Sequence, residues 1–275
     1  MPRVDLTDRV IVITGASSGI GAATAVACAH AGMHTALLAR RADRLEEVAE
    51  RVRAAGRRAI VVAGSVDHPE DNERLLDEAE RGLGPVYGAF ANAGYGQRAP
   101  CSTMTLADVR AMFEVNFYGS LVLAQLAIER MHAHNEGHVL FCSSCLSKLG
   151  LPSYGCYSST KACQDHFGRA MRHELAGTGV LVSTVHPIGT ETEFGDAARA
   201  RSGNQARPKR ARRVQPAATV AAAVVRQLRR GRGAEVWTSL PAQVAFGFAN
   251  VFPGLTDRAL AARERRIARE SKPRD

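Results

Sequence analysis

A run of β-branched residues, Val10-Ile11-Val12-Ile13, passes straight into Thr14-Gly15-Ala16-Ser17-Ser18-Gly19-Ile20-Gly21 and then into the alanine-rich stretch Ala22-Ala23-Thr24-Ala25-Val26-Ala27-Cys28. Uninterrupted apolar residues suit a strand covered on both faces, the situation of a strand inside a parallel sheet. A parallel neighbour is reached only through a long crossover, and a helix-forming stretch follows at once. The feature therefore confines the chain to an α/β architecture. The glycines between strand and helix permit a tight turn and a close backbone approach. The helix start behind them presents free N–H groups and a partial positive charge, and together these meet the needs of a dinucleotide pyrophosphate.

Strand and helix patterns go on alternating down the chain. Strands are expected at 10–14, 35–39, 59–63, 86–90, 138–143, 180–185 and 234–238, and helices at 19–31, 42–55, 69–82, 106–133, 155–176 and 216–231. With 275 residues, 45% of them hydrophobic, and no internal repeat or low-complexity linker, one core is expected. The reading is a single doubly wound parallel sheet of about seven strands with helices on both faces. It spans residues 1–240, with a substrate-facing loop near 188–215, and leaves 241–275 as an apolar segment and basic tail on the same domain. Met1-Pro2-Arg3-Val4-Asp5 contains no apolar stretch of the kind a secretory leader carries, and the six cysteines are not needed as a disulfide framework in a domain of this size. Both features lead to the expectation of a cytoplasmic protein.

In Tyr157-Ser158-Ser159-Thr160-Lys161 the ends are four residues apart, so in a helix the Lys161 ammonium shares a face with the Tyr157 phenol. A free phenol titrates near ~10, too high for proton transfer at neutral pH, and a fixed cation beside it favours the phenolate. Ser144 stands thirteen residues earlier, just beyond the apolar run Gly137-His138-Val139-Leu140-Phe141-Cys142, a buried strand by its pattern. A hydroxyl at the C-terminal end of a strand is placed to polarise a substrate carbonyl, and strand alternation turns the neighbouring Ser143 to the opposite face. Tyr-x-x-x-Lys alone is common on ordinary helix surfaces. It gains weight here from the glycine turn in the same chain.

Taken with Asn92-Ala93-Gly94 and Asn116, these motifs make the chain resemble the short-chain dehydrogenase/reductase family, motif by motif, over roughly residues 6–195. The resemblance implies a Rossmann-type domain, hydride transfer to or from a nicotinamide, and a tetrad of Asn116, Ser144, Tyr157 and Lys161. By position Tyr157 is the expected general acid/base and Ser144 the carbonyl anchor. Lys161 is expected to tune Tyr157 and hold the nicotinamide ribose, and Asn116 to hold a relay water. Gly15, Ser17, Ser18, Gly19, Ile20 and Gly21 are expected at the cofactor phosphates and Ser65 and Val66 near the adenine. Further cofactor contacts are expected from Asn92, Ala93, Gly94, Pro187, Thr190 and Thr192. Two positions depart from the family pattern: Ser65 replaces a common Asp, and Pro187-Ile188-Gly189 replaces Pro-Gly. Ile188 resists positive φ, so the turn at the nicotinamide is expected to differ. Family habit also implies a homodimer or homotetramer through the helices bearing Asn116 and Tyr157.

The second strand addresses the choice of nucleotide. Thr35-Ala36-Leu37-Leu38 ends at Ala39-Arg40-Arg41, where an NAD-specific enzyme places an acid for the ribose 2′-OH. Ala39 has no carboxylate, and Arg40 and Arg41 offer guanidinium forks suited to a 2′-phosphate, so NADP(H) is expected. The resulting expectation is an NADP(H)-dependent oxidoreductase interconverting a small ketone or aldehyde and its alcohol, an apolar one if the C-terminal segment walls the pocket. Two other readings stay open: a nucleotide-binding sensor or interaction module without turnover, and a non-oxidative lyase or epimerase holding NADP tightly. A pure binding module has no need of Tyr157, Lys161 and Ser144 together.

Cys142-Ser143-Ser144-Cys145 has the Cys-x-x-Cys form but ends a strand instead of opening a helix, so no helix dipole activates a thiol; Cys145 and Cys156 are expected to line the approach to Ser144 and Tyr157. His132, His134 and His138 read as a solvated turn, and no metal is assigned. The net charge of +9 is unevenly placed, with seven basic residues and no acid from Arg199 to Arg213. That stretch suits selection of an anionic substrate or closure on the cofactor phosphates, and equally a solvated loop. No aromatics interleave with the charges, so nucleic acid is not an expected partner.

From Val236 to Thr256 there is no charge, and Phe246, Phe248, Val251 and Phe252 lie between Pro241 and Pro253. Twelve helical residues reach only about 18 Å against roughly 30 Å of hydrocarbon, too short to span a bilayer. The segment is expected to wall an apolar pocket or form a subunit interface. Membrane contact, aided by the basic tail from Arg263 to Arg274, is the lesser expectation.

Overall fold

Alternation along the first strand sets the layering. β1 (Val10–Thr14) is buried throughout, and its side chains divide between two cores, Ile11 and Ile13 into one, Val10 and Val12 into the other. The computed structural model describes residues 3–201 and 214–270. Residues 202–213 of the basic stretch, and 271–275 of the basic tail, lie outside the described residues. After β1 come α1 (Gly19–His30), β2 (His34–Ala39), α2 (Ala42–Ala54), β3 (Ala59–Ala63), α3 (Pro69–Leu83), β4 (Val86–Ala91), α4 (Leu106–Phe113), a π-turn at Glu114–Tyr118 and α5 (Gly119–His134). Then follow β5 (Gly137–Cys142), a 3-10 turn at Cys145–Lys148, α6 (Gly155–Glu174), β6 (Val180–His186), β7 (Thr190–Glu191) and α7 (Glu193–Arg201). The chain continues with β8 (Gln215–Pro216), α8 (Ala217–Arg230), β9 (Glu235–Trp237), α9 (Leu240–Val251) and α10 (Pro253–Glu270).

Seven strands form one sheet in the order β3-β2-β1-β4-β5-β6-β9, all parallel, and β7 with β8 makes a separate two-stranded ladder. Ala25 and Cys28 of α1, Leu45 and Val48 of α2 and Val220 and Val224 of α8 fill the core on one face. Leu75 and Leu76 of α3 and Leu123 and Ala127 of α5 fill the other. Each Leu or Val among these, once buried, stabilises the fold by about 1.5–3 kcal/mol. The strand order reverses between β1 and β4, which opens a crevice at the C-terminal ends of the strands. Thr14, Ala91 and Cys142 end β1, β4 and β5 there.

Three departures from the expected elements have physical causes. The helix expected at 106–133 runs continuously from Leu106 to His134 but widens at the π-turn, in which Asn116 makes reciprocal bonds to Tyr95: Tyr95 N–H donates to Asn116 Oδ1 at 2.8 Å and Asn116 Nδ2 donates to Tyr95 O at 2.9 Å. Such local widening of a helix recurs at functional sites. Residues 240–270, expected only as a segment and tail, are helical in α9 and α10. Finally, His138 is not in a solvated turn with the exposed His132 and His134; it is fully buried in β5, hydrogen-bonded to Ser183 Oγ at 2.9 Å. Burial pulls its pKa down to about 3, so it is neutral.

Candidate active site

The glycine turn is laced to the end of β4. Thr14 Oγ1 accepts from the N–H groups of Asn92 at 3.1 Å and Ala93 at 3.2 Å, while Asn92 Nδ2 donates to the carbonyls of Thr14 at 3.0 Å and Gly15 at 3.3 Å. Gly15 has φ +65°, and a Cβ there would stand 2.8 Å from Ala93 Cα, so conformation and space both demand glycine. A Cβ on Gly21 would collide with the Gly15 carbonyl. The first turn of α1 therefore lies hard against the strand ends. Its N-cap, Ser18, makes no side-chain capping bond, and no acid stands in that turn. Its N–H groups are left free to serve an anion, which is what a pyrophosphate needs.

Beyond β2, Arg41 Nη2 donates to Ser17 Oγ at 3.3 Å and pairs with Glu193 Oε2 at 2.9 Å. The bonds from Arg41, with a further one from Ser18, hold the Glu193 carboxyl below its usual range. Arg41, Ser17 and Ser18 thus already gather around one anionic group. Arg40 is exposed beside them. Ser65 and Val66 close the end of β3: Ser65 N–H donates to Asp71 Oδ2 at 2.8 Å, and Val66 O accepts from Asn72 Nδ2 at 2.9 Å.

The four expected catalytic residues converge at the ends of β4 and β5. Ser144 follows β5 with extended backbone, and its hydroxyl accepts from Leu146 N–H at 3.1 Å and hydrogen-bonds Tyr157. Ser143 points the other way, donating to Lys161 O at 2.9 Å. Lys161, one turn beyond Tyr157 in α6, donates to Cys142 O at 2.8 Å and Gln164 Oε1 at 3.0 Å, and its Nζ is 5.8 Å from the Tyr157 ring centre. Its Nζ also lies 3.3 Å from where a Cβ on Gly94 would be. Burial pushes the Tyr157 phenol well above its ordinary value, partly opposed by the Ser144 hydrogen bond, and pulls Lys161 down to about 8. Desolvation, not the Lys161 charge, thus sets Tyr157 in this arrangement, and at neutral pH the phenol keeps its proton.

Asn116, expected to hold a relay water, is engaged through its backbone carbonyl by two protein groups. The Asn116 carbonyl accepts from Ser120 Oγ at 2.8 Å and from Gln164 Nε2 at 2.6 Å, so both its lone pairs are used. The Gln164 amide, fully buried, spans from that carbonyl to Lys161 and also donates to Ser120 Oγ at 2.7 Å. Gln164 escaped sequence reasoning, although a polar residue three positions after Lys161 on the buried side of α6 is a readable signal.

Three consecutive residues fold over the crevice. Thr192 Cγ2 stands 2.9 Å from where a Cβ on Gly19 would be, Glu193 pairs with Arg41, and the Phe194 ring lies 5.5 Å from that of Tyr157. Glu193 and Phe194 were not anticipated, since nothing local links them to residues so far back in the chain. The Pro187-Ile188-Gly189 turn avoids strain, for Ile188 is not among the residues with positive φ. Instead Gln215 N–H donates to Gly189 O at 2.8 Å and Thr190 Oγ1 to Ile188 O at 2.8 Å, so the β7–β8 ladder holds it. Pro187 O accepts from Cys145 N–H at 3.0 Å.

Behind Ser144 lies a second polar group. His186 Nδ1 donates to Ser144 O at 3.1 Å, and its ring stacks on Trp237 at 4.7 Å. Lys148 Nζ stands between Asp165 Oδ2 at 2.6 Å and Glu235 Oε1 at 3.3 Å, so a lysine ammonium is the cation among these carboxylates. Cys142 and Cys145 are buried and Cys156 half-buried; burial pushes the Cys142 thiol up to about 11, which removes any reactive dithiol character.

Residues 9–203 match the family model described as short chain dehydrogenase. Over 194 residues the chain is 35% identical to a protein of Emericella nidulans named glycine betaine reductase ATRR, a match covering 70% of this chain and 15% of that much longer one. A short chain dehydrogenase/reductase from Burkholderia phymatum, solved in complex with NAD, superposes with a TM-score of 0.82 at 26% identity over 92% of this chain and 96% of its own. An alcohol dehydrogenase from Thermococcus sibiricus, complexed with 5-hydroxy-NADP, superposes with a TM-score of 0.73 at 28% identity over 83% and 95%.

Proposed function

Because the chain belongs to the short-chain dehydrogenase family, oxidoreductases of Rossmann fold that bind NAD(P)(H), we propose that it uses NADP(H) to interconvert a small carbonyl compound and its alcohol. The observation that carries the reading is the convergence of Ser144, Tyr157 and Lys161 at the C-terminal ends of the strands, with Lys161 one turn beyond Tyr157 and held on Cys142 O. Ser144 donates to the substrate oxygen and fixes its position. Tyr157, kept protonated by burial, transfers its proton to that oxygen as charge develops there, and takes it back in the oxidative direction. Bound NADPH supplies the hydride. Lys161, anchored on Cys142 O and Gln164, turns its remaining N–H towards the ribose side of the crevice beside Gly94.

Preference for the 2′-phosphate rests on Arg41 just after β2, on Ser17 of the glycine turn to which it is bonded, and on the lack of an acid at Ala39. Glu193 holds the same Arg41 donor, which a bound 2′-phosphate would engage in its place. Phe194 and Tyr157 make the neighbouring wall partly apolar. Exposed Tyr118 and Phe167, on the helical segments carrying Asn116 and Tyr157, support pairing of subunits through that face. The test is consumption of NADPH and of NADH across a panel of aldehydes, diketones, steroids and acyl thioesters. Alcohol formed in step with NADPH, and at least tenfold poorer use of NADH, is expected. Tight NADPH binding without consumption on any carbonyl would refute the reading.

A further inference from the structure

α9 is apolar on two opposite sides, and the described fold covers only one. Its inner side, Ala242, Phe246 and Ala249, is half-buried against the 3-10 turn after Ser144 and against Trp237, whose ring is 6.3 Å from that of Phe246. The opposite side carries Leu240, Val244, Phe248 and Val251, a single stripe at helical spacing, and these are 70%, 65%, 54% and 69% exposed. Phe252 and Leu255 extend it towards α10, and no position in α9 is buried. Single exposed apolar residues are ordinary, whereas a contiguous line of large ones marks a surface that is covered in use.

Charge and size decide what covers it. Val236 to Thr256 contains no charge, while Arg258, Arg263, Arg265 and Arg269 are exposed on the following helix and the whole chain carries +9. A second copy laid on the stripe would bring together two α10 helices in which Arg258, Arg263, Arg265, Arg266 and Arg269 outnumber Asp257, Glu264 and Glu270, and net like charge in close approach opposes association. The stripe is also a single line of side chains one helix wide, narrower than the broad patch of roughly 800 Å² that each partner in a stable pair buries. An anionic lipid surface satisfies both conditions, since it attracts arginines and accepts a narrow apolar face into the headgroup boundary.

We infer that α9 and α10 dock the protein on anionic membrane surfaces, α9 lying in the interface with Leu240, Val244, Phe248 and Val251 towards the acyl chains and the α10 arginines on lipid phosphates. Docking of this kind is independent of the reaction proposed above. Its test is flotation of the full chain with vesicles of phosphatidylcholine alone and of phosphatidylcholine mixed with phosphatidylglycerol. Binding to the mixed vesicles only, weakened by salt, is expected. The double substitution Val244→Ser with Phe248→Ser leaves the net charge unchanged and should weaken binding at least tenfold, and Arg263→Gln and Arg265→Gln should each weaken it about fivefold. All four substituted positions of α9 and α10 being exposed, melting temperature should stay at the unsubstituted value, which separates loss of docking from loss of fold. Three results would overturn the inference: no binding to mixed vesicles, undiminished binding by the Val244→Ser/Phe248→Ser chain, which would mean plain adsorption of a basic protein, or a solution oligomer that this double substitution dissociates.

Discussion

Gln164 offers the sharpest handle on the proton chemistry, because its amide is the buried link between the Lys161 ammonium and the Asn116 carbonyl. Lys161 loses its proton near pH 8, so turnover that needs the ammonium falls as pH rises through that value. Gln164→Leu removes an acceptor from a buried cation. A hydrogen bond to a charged group contributes about 1.5–3 kcal/mol, and about 1.4 kcal/mol corresponds to one pH unit. The alkaline limb of kcat/KM for NADPH should therefore move down by about one to two units. Gln164→Glu places a carboxylate beside the same ammonium and should move the limb up by at least about one unit. Asn116 keeps its bond from Ser120, so the π-turn should persist and the loss of stability should stay near ~2 kcal/mol. The assay is kcat/KM against pH with any carbonyl compound the enzyme reduces, paired with thermal melts. If both substitutions lowered stability and left the limb where it was, Gln164 would be a packing residue and the reasoning would be wrong.

Other outcomes follow from the same geometry. Arg41→Asp, and Arg40→Asp to a smaller degree, should reduce the preference for NADPH over NADH at least tenfold by steady-state kinetics; an unchanged ratio would sink the 2′-phosphate assignment. His138 is held neutral at a pKa of about 3, against an ordinary value near ~6.5. The folded chain therefore binds fewer protons than the unfolded one between these values, and stability should fall as pH drops from ~6.5, by about 2–3 kcal/mol at roughly pH 4.5. His138→Gln should flatten that dependence in urea unfolding, and an equal slope would place the acid sensitivity elsewhere. Gly21→Ala forces a methyl group onto the Gly15 carbonyl and should weaken nucleotide binding measured by fluorescence titration, with about 1–3 kcal/mol lost from stability.

The parts of this fold legible in the sequence are those whose causes are local. Val10–Ile13 and Gly137–Cys142 are apolar runs ended by turn residues, and the structure makes them β1 and β5 within a residue. The glycine turn, Ser144, Tyr157 and Lys161 were legible because strand ends and helical spacing place them without knowledge of the tertiary fold. What escaped depends on distant partners. The π-turn at Asn116 exists through its bonds to Tyr95, twenty-one residues back, and periodicity is blind to that. Glu193 meets Arg41 across one hundred and fifty-two positions, and Lys148, Asp165, His186 and Glu235 meet only because the turn after β5, the middle of α6, the end of β6 and the start of β9 lie side by side. The uncharged run at 236–256 was visible as composition, but its division into a covered and an uncovered helix face required the packing of α9 on Trp237.

The central claim is that Tyr157 delivers a proton to a substrate oxygen while a nicotinamide hydride is transferred. The measurement is NADPH oxidation and alcohol formation by the unsubstituted chain and by Tyr157→Phe, together with NADPH affinity of each. The account predicts equal amounts of NADPH consumed and alcohol formed, and in Tyr157→Phe a turnover slower by at least ~100-fold with NADPH affinity unchanged. A Tyr157→Phe chain that reduces the carbonyl at the unsubstituted rate would contradict it.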